Sequence, residues 1–467
     1  MGRKKKLPEI ENIEIIDVGS EGKAIGKYNE KVVFVPFAMT GDIVNIQLSK
    51  KRKNYYEGFV TKTIQYSDKR VEPKCEHFGV CGGCKWQNMK YEDQLFYKEK
   101  QVKDNLQRIA KVDLPDIQPI LASPDIYHYR NKLEYTFSNK KWITDYSKDL
   151  DFNDFNMNGL GFHLPKKFDR ILDIKHCYLQ ASLTDEIRLS VKKYADSHHL
   201  TFYDVKNGEG LLRNLIVRNN QKGEWMVIVS FLYESEENAG LLAHIRDHFP
   251  QITSLMYVIN PKRNDTILDL DIQLFHGEAF ILESMEDISF KIGPKSFYQT
   301  NSKQALRMYQ IARDFADLNG TELVYDLYTG TGTIALFVSK KAKQVIGIEY
   351  VEEAIKDAQE NMRINGIENT LFFAGDMVEV LNKDFLDRHG KPDVIITDPP
   401  RAGMHTKVIE QIIDAAPAKI VYVSCNPATQ ARDLVLLDKH YKVMKVQPVD
   451  MFPQTHHVEN VVLLHRR

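Results

Sequence analysis

The chain has 467 residues, of which 43% are hydrophobic and 27% charged, and its formal net charge is −1. A chain of this length is too long to form a single hydrophobic core, so we expect more than one domain. No apolar run reaches the length of a membrane span, and the start "MGRKKKLPEI" lacks the apolar segment of a secretory signal. Five cysteines do not suggest a disulfide framework, so we expect a cytoplasmic protein with no membrane partner.

The first 70 residues predict a small β-barrel of the oligonucleotide-binding kind. Between residues 8 and 66, short stretches alternate apolar and polar positions and are separated by Gly, Asn or Asp. Fourteen lysines and arginines oppose nine aspartates and glutamates in these 70 residues. The stretch "KKRKNYYEG" (50–58) is either a stacking platform for nucleic-acid bases or a solvated turn between strands.

A cysteine loop, "CEHFGVCGGC" (75–84), follows the predicted barrel. Cys75, Cys81 and Cys84 could bind zinc together with His77, because thiolate and imidazole both suit that metal. Three thiolates in one loop with a remote fourth are also a familiar way to hold an iron–sulfur cluster, and Cys177 could be that fourth ligand. The residues alone leave zinc and an iron–sulfur cluster equally open.

The middle of the chain predicts a helix followed by an α+β domain. Residues 91–112 have helical spacing and strong helix formers. Residues 125–290 mix strand-like stretches with polar loops and one helix. For this helix we expect Ser182 as the N-cap and Asp185 as the acidic partner of a capping box.

The last third of the chain repeats strand, glycine-rich turn and helix, which is typical of a parallel α/β sheet. In "LVYDLYTGTGTIALFV", an apolar strand closes near Asp326 and a loop with Gly330 and Gly332 leads into a helix. The glycines allow a ligand to approach the backbone at the start of the helix. Gly330-x-Gly332-x-x-Ala335 also fits a dinucleotide fingerprint, so a nicotinamide-dependent dehydrogenase is the alternative.

Acidic residues at strand ends favour S-adenosylmethionine over a dinucleotide. Glu349 ends the next strand, where an acid can bond ribose hydroxyls. Asp376 in "AGD" and Asp398 in "ITDPPRAGM" end the strands that follow. Asp326 stands where a pyrophosphate would be repelled and a cationic amino group attracted. These features favour a methyltransferase.

Cys425, at the end of the apolar strand in "KIVYVSCNPATQARDL", is the candidate nucleophile, with a buried structural cysteine as the alternative. Carbon methylation of a pyrimidine needs a thiolate, because its addition at C6 makes C5 nucleophilic. A base must then remove the C5 proton, and the residues do not rank His456, His457 and Glu459 for that role. Arg401 stands where enzymes that methylate amino nitrogens often have an aromatic residue, so nitrogen methylation is disfavoured.

The motifs "SFYQTN", "DLYTGTGTIAL", "GIEYVEEAI", "DPPRAGM", "VSCNPATQARD" and "HHVENVVLL", in this order, resemble the RNA uracil-5-methyltransferase family, specifically its ribosomal branch. The resemblance implies S-adenosylmethionine-dependent methylation of uridine C5 in 23S ribosomal RNA through a covalent cysteine adduct. It implies these roles: nucleophile Cys425, base Glu459, and cofactor contacts Gln299, Tyr328, Glu349, Asp376 and Asp398.

The same resemblance implies a 4Fe-4S cluster held by Cys75, Cys81, Cys84 and Cys177, with a structural or RNA-binding role. The implied fold is multidomain α/β and is divided as follows: a TRAM barrel (1–68), a central RNA-binding domain with the iron–sulfur loop (69–93 and 125–290), and a Rossmann-like methyltransferase domain (94–124 and 291–467).

We expect a monomer that acts on 23S ribosomal RNA. One alternative is the enzyme that methylates the transfer-RNA T-loop, whose branch generally lacks the barrel and the cysteine cluster. The other alternative is a non-catalytic RNA-binding ribosome assembly factor.

Overall fold

The computed structural model describes residues 7–144 and 156–467, so the first six residues of the predicted barrel lie outside it. The described residues form two compact units. The first unit runs up to Ile126 and includes Pro400–Gly403 and Ser424–Val462; the second comprises Tyr127–Pro399, Met404–Val423 and Leu463–Arg467. Within the described ranges, no helix is both long enough and apolar enough to cross a membrane.

Five strands in the described part of the amino-terminal region form a closed barrel. The strands are β1 (Glu9–Val18), β2 (Ala24–Tyr28), β3 (Lys31–Val35), β4 (Ile43–Lys51) and β5 (Tyr55–Gln65). They follow the order β1-β2-β3-β5-β4 around the barrel. Ile15, Val33 and Val44 are fully buried inside, because alternate side chains of a strand point to the same face. The predicted barrel is confirmed.

The basic turn between β4 and β5 does not offer two tyrosines for base stacking. Tyr56 is only 7% exposed and belongs to the barrel core. The Tyr55 ring packs edge-on against Phe34, with centroids 5.4 Å apart. The stacking-platform interpretation is therefore wrong for Tyr56, whereas the basic side chains of residues 50–53 are exposed.

The helix expected over residues 91–112 is α1 (Tyr91–Asn105), which continues as a π-helical turn over Leu106–Ala110. Its buried face carries two polar residues, Gln94 and Lys98, which are 1% and 0% exposed. Buried polar groups of this kind need hydrogen-bond partners inside the protein.

The central region contains a mixed sheet whose strands follow the order β12-β11-β10-β9-β6-β7-β8. Two helices and a separate two-stranded hairpin accompany this sheet. Its elements are β6 (Lys132–Ser138), β7 (Gly159–Leu164), β8 (Lys167–Leu172), α2 (Leu183–Ser197), β9 (Leu212–Asn219), β10 (Trp225–Phe231), α3 (Glu236–His248), β11 (Ile252–Ile259), β12 (Ile272–Gly277), and the hairpin β13 (Ile281–Met285) and β14 (Ile288–Ile292).

Helix α2 begins after Ser182, as expected, but no capping box forms. Ser182 makes no side-chain cap bond. The Asp185 carboxylate instead accepts a hydrogen bond from the backbone N–H of Cys177 at 3.1 Å and one from Arg188 at 3.3 Å. Asp185 therefore fixes the backbone at Cys177 rather than the start of the helix.

The carboxyl-terminal region has the parallel α/β arrangement that its pattern predicts, with the sheet order β17-β16-β15-β18-β19-β21-β20. Its elements are α4 (Ser302–Ala316), β15 (Leu323–Leu327), α5 (Thr333–Ser339), β16 (Gln344–Glu349), α6 (Glu352–Ile364), β17 (Thr370–Ala374), α7 (Met377–Val380), α8 (Lys383–His389), β18 (Val394–Thr397), α9 (Thr406–Ala415), β19 (Lys419–Ser424), α10 (Pro427–Leu437), β20 (Tyr441–Val449) and β21 (Glu459–Arg466). Strands β15 to β19 are parallel, so their carboxyl ends share one edge of the sheet.

Candidate active site

The glycine-rich loop after β15 has the backbone shape that a closely bound ligand requires. Tyr328, Gly330 and Gly332 have positive φ angles of 65°, 55° and 78°, a region that residues other than glycine rarely adopt. A Cβ atom on Gly332 would lie 2.8 Å from the Phe372 ring, so close packing requires that glycine. At Gly330 a Cβ atom would meet nothing within 4 Å. A ligand could therefore reach the loop backbone at Gly330.

Asp326, near the end of β15, is a fully buried acid with one unpartnered oxygen. Its Oδ2 accepts hydrogen bonds from the Thr329 hydroxyl and from the Ala335 N–H at 3.0 Å. Its Oδ1 is buried and has no partner among the described residues. Burial, and to a smaller degree the charges of Asp398 and Glu349, raise the pKa of Asp326 to about 7. An ammonium group would satisfy both the free oxygen and the buried charge.

Glu349, at the end of β16, fixes the glycine-rich loop from the neighbouring strand. Its Oε2 accepts a hydrogen bond from the Gly330 N–H at 3.1 Å, and its Oε1 accepts one from Val351 at 3.0 Å. Each oxygen has a second lone pair, so ribose hydroxyls could still bond there. Asp376, in contrast, is exposed and caps its own short helix through the Val378 N–H at 2.8 Å. The structure ties Glu349, but not the Asp376 carboxylate, to the loop.

Asp398 and Gln299 approach the same buried tyrosine. The Asp398 N–H donates to the Leu327 carbonyl at 3.3 Å, and burial raises the pKa of its carboxyl to about 7. The side chain of Gln299 hydrogen-bonds to the Tyr309 hydroxyl, whose pKa is raised well above its usual value by burial and then by the charge of Asp398. The sequence pattern missed Tyr309, because an aromatic residue at helical spacing indicates a core position.

Asn131, just before β6, is another residue that the sequence pattern missed. Its Nδ2 donates to the Gln299 carbonyl at 2.9 Å, and its backbone N–H donates to the Thr300 carbonyl at 2.8 Å. Arg218 donates to the Ser296 carbonyl at 3.0 Å. The central region therefore anchors the "SFYQTN" segment. Contacts between distant segments leave no periodic signal in a sequence, so neither anchor could be found from spacing.

In the first unit, Cys425 lines a cavity of about 600 Å³. The cavity walls come from the barrel, from α1 and its π-helical turn, from the "DPPR" loop and from the segment before β21; they include Asp17, Ile25, Lys100, Arg108, Arg401 and His457. A cavity of this volume is large enough for a small-molecule-sized group such as one nucleotide. The sequence did not predict that the barrel and α1 line the same cavity as the candidate nucleophile.

Cys425 lies between the end of β19 and the start of α10. Asn426 caps this helix by accepting a hydrogen bond from the Ala428 N–H at 3.1 Å, and Pro427 occupies its first turn. The Asn426 Nδ2 also donates to the Arg401 carbonyl at 3.1 Å, which joins the "DPPR" loop to the helix. Cys425 therefore lies immediately before the amino-terminal end of α10, where the helix dipole is positive.

The cations of this cavity differ in whether they are already paired. Lys100 donates to Asp17 at 2.9 Å and to Asp104 at 2.6 Å, so its charge is compensated. The exposed Arg401 guanidinium has no side-chain partner among the residues that the structure describes. Its charge is one of those that act on His456. Arg401 is therefore available to an anionic or carbonyl group of a ligand.

The three candidate bases differ in suitability. Burial, and then the neighbouring His457, lower the pKa of His456 to about 3, so this imidazole is a poor proton acceptor near neutral pH. Glu459, the first residue of β21, is 6% exposed. The next residue, Asn460, donates to Gln430 Oε1 at 2.7 Å and its carbonyl accepts from Gln430 Nε2 at 3.3 Å. This amide pair ties the start of β21 to α10, the helix that follows Cys425.

The cysteine loop folds back on itself in tight turns. The Phe78 N–H donates to the Cys75 carbonyl at 3.0 Å, and Gly79 and Gly82 have φ angles of 87° and 76°. Burial raises the pKa of the Cys81 thiol, and the nearby Cys75 raises it further. Thiol groups are the ligands that iron–sulfur clusters take, and they also suit zinc.

The proposed fourth ligand belongs to the other compact unit. Among the described residues, no group of three or more His, Cys, Asp or Glu side chains is arranged to hold a metal ion. All five cysteines lie in the described ranges, and none of them forms a disulfide. The iron–sulfur ligand set of Cys75, Cys81, Cys84 and Cys177 stays a prediction.

Comparison with known proteins assigns the two ends of the chain. Residues 273–467 match the family model described as tRNA (Uracil-5-)-methyltransferase, and residues 4–61 match the TRAM domain. The chain is 56% identical to an uncharacterized RNA methyltransferase of Bacteroides thetaiotaomicron, over 96% of this chain and 100% of the relative. It is 55% identical to another from Porphyromonas gingivalis, over 97% and 99%.

A solved structure extends the similarity over nearly the whole chain. It is the tRNA (uracil-54, C5)-methyltransferase of Pyrococcus abyssi in complex with S-adenosyl-L-homocysteine, with a TM-score of 0.75, 27% identity, and coverage of 97% of this chain and 100% of that one. The TRAM-barrel and methyltransferase parts of the predicted fold are confirmed. The S-adenosyl-L-homocysteine in that complex supports the predicted cofactor.

Proposed function

The protein belongs to the RNA uracil-5-methyltransferase family, which uses S-adenosylmethionine, and from this premise we propose that it methylates uridine C5 in 23S ribosomal RNA through a Cys425 adduct. The observation that carries the chemistry is the cavity of about 600 Å³ that Cys425 and Arg401 both line. A buried structural cysteine would not need to line an opening of this size.

In the proposed reaction, the Cys425 thiolate forms a bond to C6 of uracil, and the electrons of the C5–C6 double bond move towards O4 as an enolate. S-adenosylmethionine, when bound, supplies the methyl group that C5 receives. Glu459 then takes the proton from C5, the double bond re-forms, and the C6–sulfur bond breaks to release the thiolate. The poor basicity of His456 supports Glu459 for this role.

We propose that Asp326, Glu349, Asp398, Gln299 and the loop backbone from Tyr328 hold the methyl donor. The free Oδ1 of Asp326 suits its amino group, and the open space at Gly330 suits a ligand that approaches the backbone. Asp376 is retained as a candidate for the adenine.

We further propose a 4Fe-4S cluster on Cys75, Cys81, Cys84 and Cys177. The spacing of three cysteines within ten residues and the turns of their loop support this ligand set. When bound, such a cluster would be held by iron–thiolate bonds, and Asp185 fixes the backbone at Cys177. The domain boundaries, the cytoplasmic location and the monomeric state expected from the sequence stay predictions.

Transfer RNA is the second candidate substrate, and a specific observation favours it. The Pyrococcus abyssi enzyme, which by its name acts on uracil-54 of tRNA, is matched over its whole length by 97% of this chain. The presence of the barrel therefore does not separate a ribosomal enzyme from a transfer-RNA enzyme. The proposal of 23S ribosomal RNA rests on the resemblance of the cysteine loop to the ribosomal branch.

The substrate is tested by incubating the protein with tritiated S-adenosylmethionine and RNA that lacks 5-methyluridine. Unmodified 23S RNA and unmodified tRNA are presented separately, with Cys425→Ala as the matched control. We expect label in 23S RNA as 5-methyluridine and none with the variant. Label in tRNA alone would replace the proposed substrate by the second candidate, and no label in either RNA would favour a non-catalytic assembly factor.

A further inference from the structure

A buried hydrogen-bond pair joins helix α1 to residues 450–459, the segment that leads to Glu459. Gln94 Nε2 donates to Gln454 Oε1 at 3.0 Å, and the Gln454 N–H donates to Gln94 Oε1 at 2.9 Å. Both side chains are almost fully buried, with exposures of 1% and 2%. The side-chain amide of Gln94 thus binds both the side chain and the backbone of Gln454, which fixes their distance and orientation.

The backbone of Gln454 is held as firmly as its side chain. Its φ angle is +67°, a strained conformation for a residue other than glycine, which persists only when the surroundings impose it. Its carbonyl accepts hydrogen bonds from the N–H groups of Lys85 and Trp86, at 2.9 and 3.1 Å. These are the first two residues after Cys84, so Gln454 also connects the base segment to the end of the cysteine loop.

A buried ion pair strengthens the same attachment one helical turn away. Lys98 of α1 donates to the Asp450 carboxylate and to the Phe452 carbonyl, the latter at 3.0 Å. Asp450 also accepts from the Tyr91 hydroxyl at 2.9 Å. Burial lowers the pKa of Lys98 and the charge of Asp450 opposes this, as expected for two charges that depend on each other. Helix α1 therefore binds both residues 450–452 and residue 454.

We propose that Gln454, through Gln94, is a positioning residue for proton removal from C5: it sets where Glu459 stands relative to the adduct. This inference rests on the proposed function. The helix after Cys425 is tied to Asn460 by the amide pair with Gln430, and α1 is tied to Gln454, so the segment of Glu459 is fixed on both sides. A change at Gln94 loosens one side only.

The proposal separates two steps that a general loss of structure would not separate. Cys425 is placed by β19 and by the Asn426 cap of α10, neither of which involves Gln94. Addition of the thiolate to C6 should therefore survive a change at Gln94. Removal of the C5 proton should not, because proton transfer requires the base within hydrogen-bond reach.

RNA containing 5-fluorouridine distinguishes these steps. Fluorine at C5 cannot leave as a proton does, so the reaction stops at the methylated covalent adduct, which is measured as a shifted band on a denaturing gel. The variants are Gln94→Ala and Gln454→Asn, the second of which keeps an amide that tolerates positive φ. The matched control is Gln107→Ala, an exposed glutamine in the turn after α1.

For both variants we expect turnover on uridine RNA to fall at least about tenfold. The rate of adduct formation on 5-fluorouridine RNA should stay within about twofold of the unmodified protein, and adduct should accumulate on ordinary uridine RNA. Gln107→Ala should match the unmodified protein in both assays. Thermal unfolding of each variant verifies that it is folded.

Two outcomes would overturn the inference while leaving the proposed function intact: equal losses of turnover and adduct formation, or no loss of either. If the unmodified protein forms no adduct with any 5-fluorouridine RNA in the presence of S-adenosylmethionine, the proposed function itself fails.

Discussion

Two regions of the molecule are built in opposite ways. One is the edge of the parallel sheet, which carries Asp326, Glu349 and Asp398, and the other is the cavity that Cys425 lines. The edge comes from consecutive strand–loop–helix units, each with its acid at a strand end. The cavity combines the barrel, α1, the "DPPR" loop, the start of α10 and the segment before β21. A site made by repeated local units is visible in the sequence, whereas a site made by distant segments becomes visible only after folding.

The two regions also differ in charge. At the edge, burial raises the pKa of Asp326, and its acidic neighbours raise it further. This environment suits a bound cation. The cavity is lined by Arg401, whose guanidinium has no side-chain partner among the described residues, and this cation suits the anionic or carbonyl groups of a nucleotide. The following changes test whether donor binding and covalent chemistry are separable in this way.

Cys425→Ala should have the largest effect. Turnover should fall by at least about 10³-fold, because the thiolate that the proposed reaction adds to C6 is lost. Binding of S-adenosylhomocysteine, measured by calorimetry, should be unchanged, since the edge residues are intact. A matching loss of cofactor affinity would show that the two regions are not separable.

Glu459→Gln should lower turnover by about 10²- to 10⁴-fold, because the carboxylate that takes the C5 proton is lost while its shape is kept. Unlike Cys425→Ala, this variant should accumulate a covalent adduct with ordinary uridine RNA, visible on a denaturing gel. Full turnover in Glu459→Gln would assign proton removal to another group, and His457→Ala would then be the next variant to compare.

Cofactor affinity should depend on pH through the edge. The pKa of Asp326 is raised to about 7, so its carboxyl is neutral below that pH and negative above it. Only the negative form attracts the donor's amino group, so affinity for S-adenosylhomocysteine should rise about tenfold from pH 6 to pH 8. Asp326→Asn should flatten this dependence. If the affinity for S-adenosylhomocysteine falls from pH 6 to pH 8, the Asp326 carboxylate does not attract the amino group of the donor.

Changes at the cysteine loop should affect turnover least, since the proposed chemistry needs no electron. Cys177→Ala should lose the iron of the proposed cluster, measured by elemental analysis after anaerobic preparation, whereas His77→Ala should keep it. The reverse result would favour the zinc site with His77 as a ligand. In either variant, we expect turnover to fall by less than the loss in Glu459→Gln.

Several elements could be predicted from the sequence because each is encoded by neighbouring residues. The barrel strands alternate apolar and polar positions, and the β15 loop carries Asp326, Gly330 and Gly332 within seven residues. The capping box at Ser182 failed for the opposite reason, since the Asp185 carboxylate bonds to Cys177, outside its own helix. Local pattern could not show that a distant backbone group competes for this acid.

The sequence by itself determined the fold class, the family and the order of the motifs, because strand and helix periodicity and short motifs depend on residues a few positions apart. Only the tertiary structure decided that Gln94 pairs with Gln454, 360 positions away, and that the barrel lines the cavity of Cys425. It also decided the pKa of His456 through burial. Contacts between residues so far apart in the sequence depend on how the whole chain folds, so local sequence patterns cannot predict them.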